Sequence, residues 1–193
     1  MNVLDAVLSR RTARIFEQDP IPREHTIKMI DLARLSPSAG NMQSLKYLII
    51  DSQKEREAIF PYIRYAGYIK DWNPEFSQSP VAFIAVLNNT EIRETCSFTQ
   101  CDCGIAMMTV SLAAVEMGYD SCILGAIDRK EISGIIGIPP RYEIMYLIGL
   151  GKSNQKNTWF DDNSVKYVMD ESYNFKVPKR KLEDVILTLD NRG

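Results

Sequence analysis

The sequence predicts one domain in which buried helix and buried strand share a core. Three observations carry this expectation. The run from Gly104 to Met117 is apolar in nearly every direction of a 3.6-residue wheel and breaks at Gly118, so it reads as a core helix. Val81 to Leu87 is an unbroken apolar run, the pattern of a strand buried on both faces. Ser121 to Ala126 then reads as a strand ending in glycine, where a flat ligand could lie against main chain.

The other elements follow in order. Asn2 to Ser9 reads as a short helix with Val3, Leu4, Val7 and Leu8 on one face. Arg10-Arg11-Thr12-Ala13-Arg14 packs three guanidiniums into a short stretch, either a solvated basic turn or a site for phosphate or carboxylate oxygens. Pro22 opens a helix that runs to Leu35, with His25 on its first turn at the surface. Ser36 to Gln43 is a polar loop. Its amides and hydroxyls suit a polar heterocycle, and they equally suit a plain turn. It leads into a strand at Tyr47 to Ile50, then a helix over 54–65 and an irregular aromatic segment over 67–79. Asp128 caps a helix ending near Gly137, and Ile144 to Gly151 is a strand. Residues 154–175 read as a long loop. A second basic cluster, Lys179-Arg180-Lys181, precedes an apolar segment whose period is ambiguous.

Composition narrows the function classes. With 193 residues the chain can bury a real core, and 25% charged residues with a net charge of −2 give no cue for nucleic acid or an acidic membrane. No apolar run reaches membrane-spanning length, the central helix being too short, and charges interrupt the N-terminus early, so the expectation is a soluble cytoplasmic protein. The four cysteines lack metal-site spacing and read as buried free thiols. A single histidine argues against histidine triads and multi-histidine metal sites. Neither GxGxxG nor GxxxxGK[ST] is present, and the Gly149 and Gly151 pair is a weak signal.

Taken together and in this order, 10–14, 36–43, the helix–strand unit 102–126 and the 179–181 cluster resemble the nitroreductase family of flavin-dependent oxidoreductases. The resemblance covers essentially the whole chain as one domain, 1–193. It implies an α+β fold, a mostly antiparallel four- to five-stranded sheet wrapped by helices, in an intertwined homodimer with FMN at the interface. Arg10, Arg11 and Thr12 would contact the FMN phosphate and ribityl chain, with Lys179 and Lys181 approaching the same phosphate. Arg14 would lie at the N1 and O2 edge of the ring. Pro37, Ser38, Ala39 and Asn41 would come from the partner, and Cys122, Ile123, Leu124 and Gly125 would line the ring face. Val185 to Leu189 would be buried across the dimer.

The implied activity is ping-pong reduction of nitroaromatics, quinones or similar acceptors by NAD(P)H, without a catalytic nucleophile, base or metal. Dehalogenation, dehydrogenation, a non-catalytic FMN carrier or sensor, and a purely structural dimer are the alternatives. Two departures stand out. Gln43-Ser44-Leu45 replaces the frequent Gln-Pro-Trp, and Leu124 replaces a frequent Glu, which alters the substrate-facing edge.

Overall fold

Side chains that accept first-turn N–H groups set several helix starts. In the computed structural model, which describes residues 1–187, Asn2 accepts the Asp5 N–H at 2.9 Å and starts α1 (Val3–Ser9). α2 (Arg23–Ala33) follows Pro22, and a short 3-10 turn at Ala39–Asn41 leads to β1 (Leu45–Ile50). α3 (Gln53–Ile59) is capped by Ser52. It is shorter than the helix expected over 54–65, because Pro61 turns the chain into a 3-10 segment at Phe60–Tyr62.

β2 (Ala82–Asn89) is buried at every residue, as its unbroken apolar run requires. α4 (Ser97–Glu116) begins at a Cys96 cap, ahead of the expected Asp102. At 20 residues it is long and apolar enough to span a membrane, contrary to the expected shortness, and half of its most apolar window is buried within the chain. β3 (Asp120–Leu124), α5 (Arg129–Ile136) and β4 (Tyr142–Gly151) complete this part. Asp128 accepts the Glu131 N–H at 3.1 Å to start α5, and Gly137 closes it at φ 74°.

The chain forms two compact units. The first, Met1–Tyr65 with Asn73–Asn154, holds a four-stranded sheet of order β1-β2-β4-β3, antiparallel throughout. Met29, Ala106 and Val110 from α2 and α4 pack with Ile84 and Ile148 of the central strands. One face of α4 makes this core, but Phe98 is 62% exposed and Met108 37%, so the helix is apolar on a face its own chain leaves open. α1 is similarly uncovered at Val3, Leu4, Val7 and Leu8, and buries only Ala6. Gly149 and Gly151 have a packing role. A Cβ on Gly149 would overlap Pro80, and one on Gly151 would lie 2.8 Å from Phe16 Cδ1.

The second unit comprises Ala66–Trp72 and the chain from Gln155 onward. The long loop expected over 154–175 instead contains β5 (Thr158–Asp161) and β6 (Val168–Met169), which flank β7 (Phe175–Lys179) in the order β5-β7-β6. Phe175 is its buried centre, with Trp72 and Tyr167 edge-on at 5.7 Å each. Pro178 fits in β7 because β6 pairs only with Phe175 and Lys176, leaving no ladder partner on that side at Pro178. α6 (Leu182–Val185) follows. Leu182, Val185, Ile186 and Leu187 are exposed in the single chain, and the rest of the final apolar segment, 188–189, lies outside the described residues.

Asp120, at the start of β3, accepts the Ser153 N–H at 3.1 Å. Burial raises its carboxyl pKa above the ordinary 3.8, with that hydrogen bond opposing the rise. Because the folded state holds the proton more tightly, stability falls as pH rises from 3.8 through the folded pKa, and the penalty persists above it. Asp120→Asn should remove this slope. Urea unfolding of both proteins at acid and neutral pH checks it, and parallel pH profiles would contradict it.

Candidate functional site

The arginine segment leaves α1 at Arg10 and is laid along the outer edge of β3. Thr12 forms a parallel bridge with Ser121, and the Ala13 N–H donates to the Ser121 carbonyl at 3.1 Å. Ala13 and Phe16 are buried and anchor the segment, while Arg10, Arg11, Thr12 and Arg14 are half-buried. Arg11 Nη1 donates to the Arg10 carbonyl at 2.8 Å. Arg10 Nε and Arg11 Nε are buried and, among the described residues, have no hydrogen-bond partner. Burial, and then the Arg11 charge, depresses the Arg10 pKa. Two orphaned guanidinium nitrogens held close together fit an anion with several acceptor oxygens, such as the phosphate of FMN.

The bridge also brings Arg14 to the expected ring-facing strand. Burial pushes the Cys122 thiol up to about 11, and the Arg14 charge opposes that rise. Tyr65 is buried beside the same thiol, its pKa raised by burial and then by Cys122. Strand alternation buries Cys122 and Leu124 and leaves Ile123 exposed. The Leu124 side chain is therefore turned into the chain, and Ile123 is the outward one. A Cβ on Gly125 would lie 3.3 Å from Tyr146. Arg129 fixes the turn beyond it, donating to the carbonyls of Gly125 at 3.3 Å, Ile144 at 3.1 Å and Met145 at 2.9 Å. Sequence reasoning missed Arg129. Its one signal was a cation at a helix start, where the macrodipole disfavours it.

Pro37, Ser38, Ala39 and Asn41 lie at the other side of the unit. Their loop leads into β1, at the opposite edge of the sheet from β3. Gly40, Asn41 and Gln43 take φ of 62°, 52° and 49°. Ser38 Oγ accepts the Gln43 N–H at 3.1 Å, and Ser36 Oγ meets Thr109 Oγ1 at 2.9 Å. Arg93 and Asp102, which the sequence did not mark as site residues, hold Ala39. Lys179 and Lys181 belong to the second unit, at the end of β7 and the start of α6. His25 is tied to its chain rather than free at the surface, with Nδ1 2.8 Å from the Tyr119 hydroxyl.

All four cysteines are free thiols among the described residues, but only Cys103 and Cys122 are buried as expected; Cys96 is half-buried and Cys101 exposed. Hydrogen bonding to Thr99 lowers the Cys96 pKa, whereas burial raises Cys103 to about 12. Thiolates are the reactive form. At mildly alkaline pH, Cys96 and the exposed Cys101 should react with a thiol reagent first, and Cys103 and Cys122 only on unfolding. Mass spectrometry of partly labelled protein checks this, and early label on Cys122 would contradict it.

A four-stranded antiparallel sheet packed with a long apolar helix, with a half-buried arginine segment on its edge strand, defines an α+β protein with a cationic sheet edge. Residues 7–152 match the family model described as Nitroreductase family. The chain belongs to that family, which is one of oxidoreductases. A candidate NADH dehydrogenase/NAD(P)H nitroreductase of Methanothermobacter thermautotrophicus is 28% identical over 155 residues, covering 78% of this chain and 77% of its own. A nitroreductase family protein of Clostridium novyi superposes with TM-score 0.67 at 25% identity, covering 79% of this chain and 86% of its own. A candidate nitroreductase of Exiguobacterium sibiricum, solved in complex with FMN, superposes with TM-score 0.66 at 21% identity, covering 80% and 90%.

Proposed function

We propose that the protein is an FMN-dependent oxidoreductase that passes electrons from NAD(P)H to nitroaromatics, quinones or similar electron-poor acceptors, as a homodimer in the cytoplasm. The observation that carries this is the pair of buried, unpartnered guanidinium nitrogens of Arg10 and Arg11 beside the edge of β3. Arg10, Arg11 and Thr12 would hold the phosphate end. Cys122 to Gly125 would present backbone to the ring, and Arg14 would sit at its N1 and O2 edge. When bound, FMN supplies two-electron transfer between a nicotinamide donor and an acceptor, which take turns at one place.

Support for the dimer comes from topology. The 37–41 loop and the arginine segment lie at opposite edges of one sheet, so a second copy is the simple way to bring them together. The open apolar faces of α1 and α4 offer surface for that copy. Four free thiols suit a reducing compartment.

An absorption spectrum after FMN loading and desalting tests the reading, followed by anaerobic NADH and NADPH. Retained flavin that bleaches is expected. Retained flavin that stays oxidised would indicate a carrier, and no retained flavin would overturn the assignment. Arg14→Ala is expected to lower the potential of bound FMN by about 30–60 mV, the equivalent of one charge-assisted hydrogen bond. Spectroelectrochemistry measures this, and an unchanged potential with weaker binding would move Arg14 to the phosphate.

A further inference from the structure

The Ala39 peptide is gripped on both sides by one ion pair. Its N–H donates to Asp102 Oδ1 at 2.9 Å, and its carbonyl accepts from Arg93 Nη2 at 2.7 Å. Arg93 Nη1 and Asp102 Oδ2 face each other at 3.7 Å, with side chains only 18% and 4% exposed. Among the described residues, neither of those two atoms has a hydrogen-bond partner. Arg93 is placed in turn by Asn88, fully buried on β2, whose Nδ2 donates to the Arg93 carbonyl at 2.9 Å and to Thr95 Oγ1 at 3.0 Å. Asp102 stands on the buried face of α4. The loop is thus tied to both the sheet and the long helix through a single residue.

Stability alone is a poor reason for this arrangement. A buried ion pair generally does no better than apolar side chains of similar volume, because desolvation offsets the attraction. The loop it holds has the greater need. Three of its residues between 40 and 43 have positive φ, two of them non-glycine, and such backbone persists where the surroundings over-determine it. Ala39 has no polar side chain with which to fix itself.

We infer that Arg93 and Asp102 are positioning residues for the flavin site, holding loop 37–41 in the shape that presents Ser38 and Asn41 to the cofactor. The inference rests on the FMN reading above. It assigns the pair no contact with FMN or substrate.

The test compares wild type, Arg93→Lys and the double variant Arg93→Met/Asp102→Leu. Three readouts are taken: amide exchange at Ala39 in FMN-free protein, FMN titration, and visible circular dichroism of bound flavin. Arg93→Lys keeps the charge but loses the planar fork that reaches both Asp102 and Ala39. The double variant replaces the pair with apolar volume and leaves neither charge buried without its partner. Faster Ala39 exchange in both variants is expected, with FMN affinity about tenfold lower in the double variant and a changed flavin dichroism, as for the loss of a hydrogen bond or two. Arg93→Lys should fall between. Wild-type affinity and dichroism in folded variants would overturn the positioning role alone, and if the double variant does not fold, Arg93→Lys decides on the same readouts. Failure of the wild type to retain FMN would overturn the FMN reading and the inference with it.

Discussion

Arg10→Ala is expected to weaken FMN binding by about 100-fold, the upper end of what losing one hydrogen bond to a charged group costs. The same change should leave the FMN-free protein no less stable, and slightly more so. Burial and the Arg11 charge both depress the Arg10 pKa, so in FMN-free protein the segment carries a cation that its surroundings disfavour. Removing that cation relieves the repulsion on Arg11. Opposite signs in affinity and stability are the mark of a group kept for its ligand rather than for the fold. FMN titration and thermal melts of the FMN-free protein measure both. Unchanged affinity with a lowered melting temperature would return Arg10 to a structural role.

Gly149→Val should destabilise the protein by about 3 kcal/mol, the upper range for overpacking. The predicted fall in melting temperature is roughly 6–12 °C for a chain of this size. A Cβ at this position would overlap Pro80 and reach Phe83 Cε1 at 3.4 Å. Pro80 has little freedom to retreat. Its carbonyl accepts from Arg56 Nη1 at 3.0 Å, and the next residue, Val81, donates to the Leu150 carbonyl at 3.0 Å. A loss below about 1 kcal/mol would mean that Pro80 yields after all.

What could be read in advance followed from how each element is buried. β2 and β4 were legible because central strands must be apolar on both faces. α5 was legible from Asp128 and Gly137, whose cap chemistry is local. The first turn of α4 was missed because Ser97-Phe98-Thr99-Gln100 carries no apolar period and Cys96 is an unusual cap. The small sheet of the second unit was missed because β5 is exposed throughout and β6 has two residues, too few for an alternation to register.

The site divides the same way. The 10–14 cluster and the polar 36–43 loop stood out by local composition. The Arg93–Asp102 grip did not, because its meaning depends on a backbone group more than fifty residues away in sequence. Arg129 was hidden likewise, its guanidinium spent on carbonyls of a different strand. The glycines of β4 showed in the sequence, but what crowds them did not.

The bridge between Thr12 and Ser121 bears on how the molecule is made. The arginines leave the ribosome well ahead of their docking edge, which does not exist until about 110 further residues have emerged. Even then β3 must find β4, which is later still in the chain. A segment made before the strand it docks on is therefore seated late, and during that interval its cations remain in water. A pairing of such long sequence separation forms late in folding and depends on everything that precedes it. The protein acquires its cationic edge only once the sheet that carries it is built.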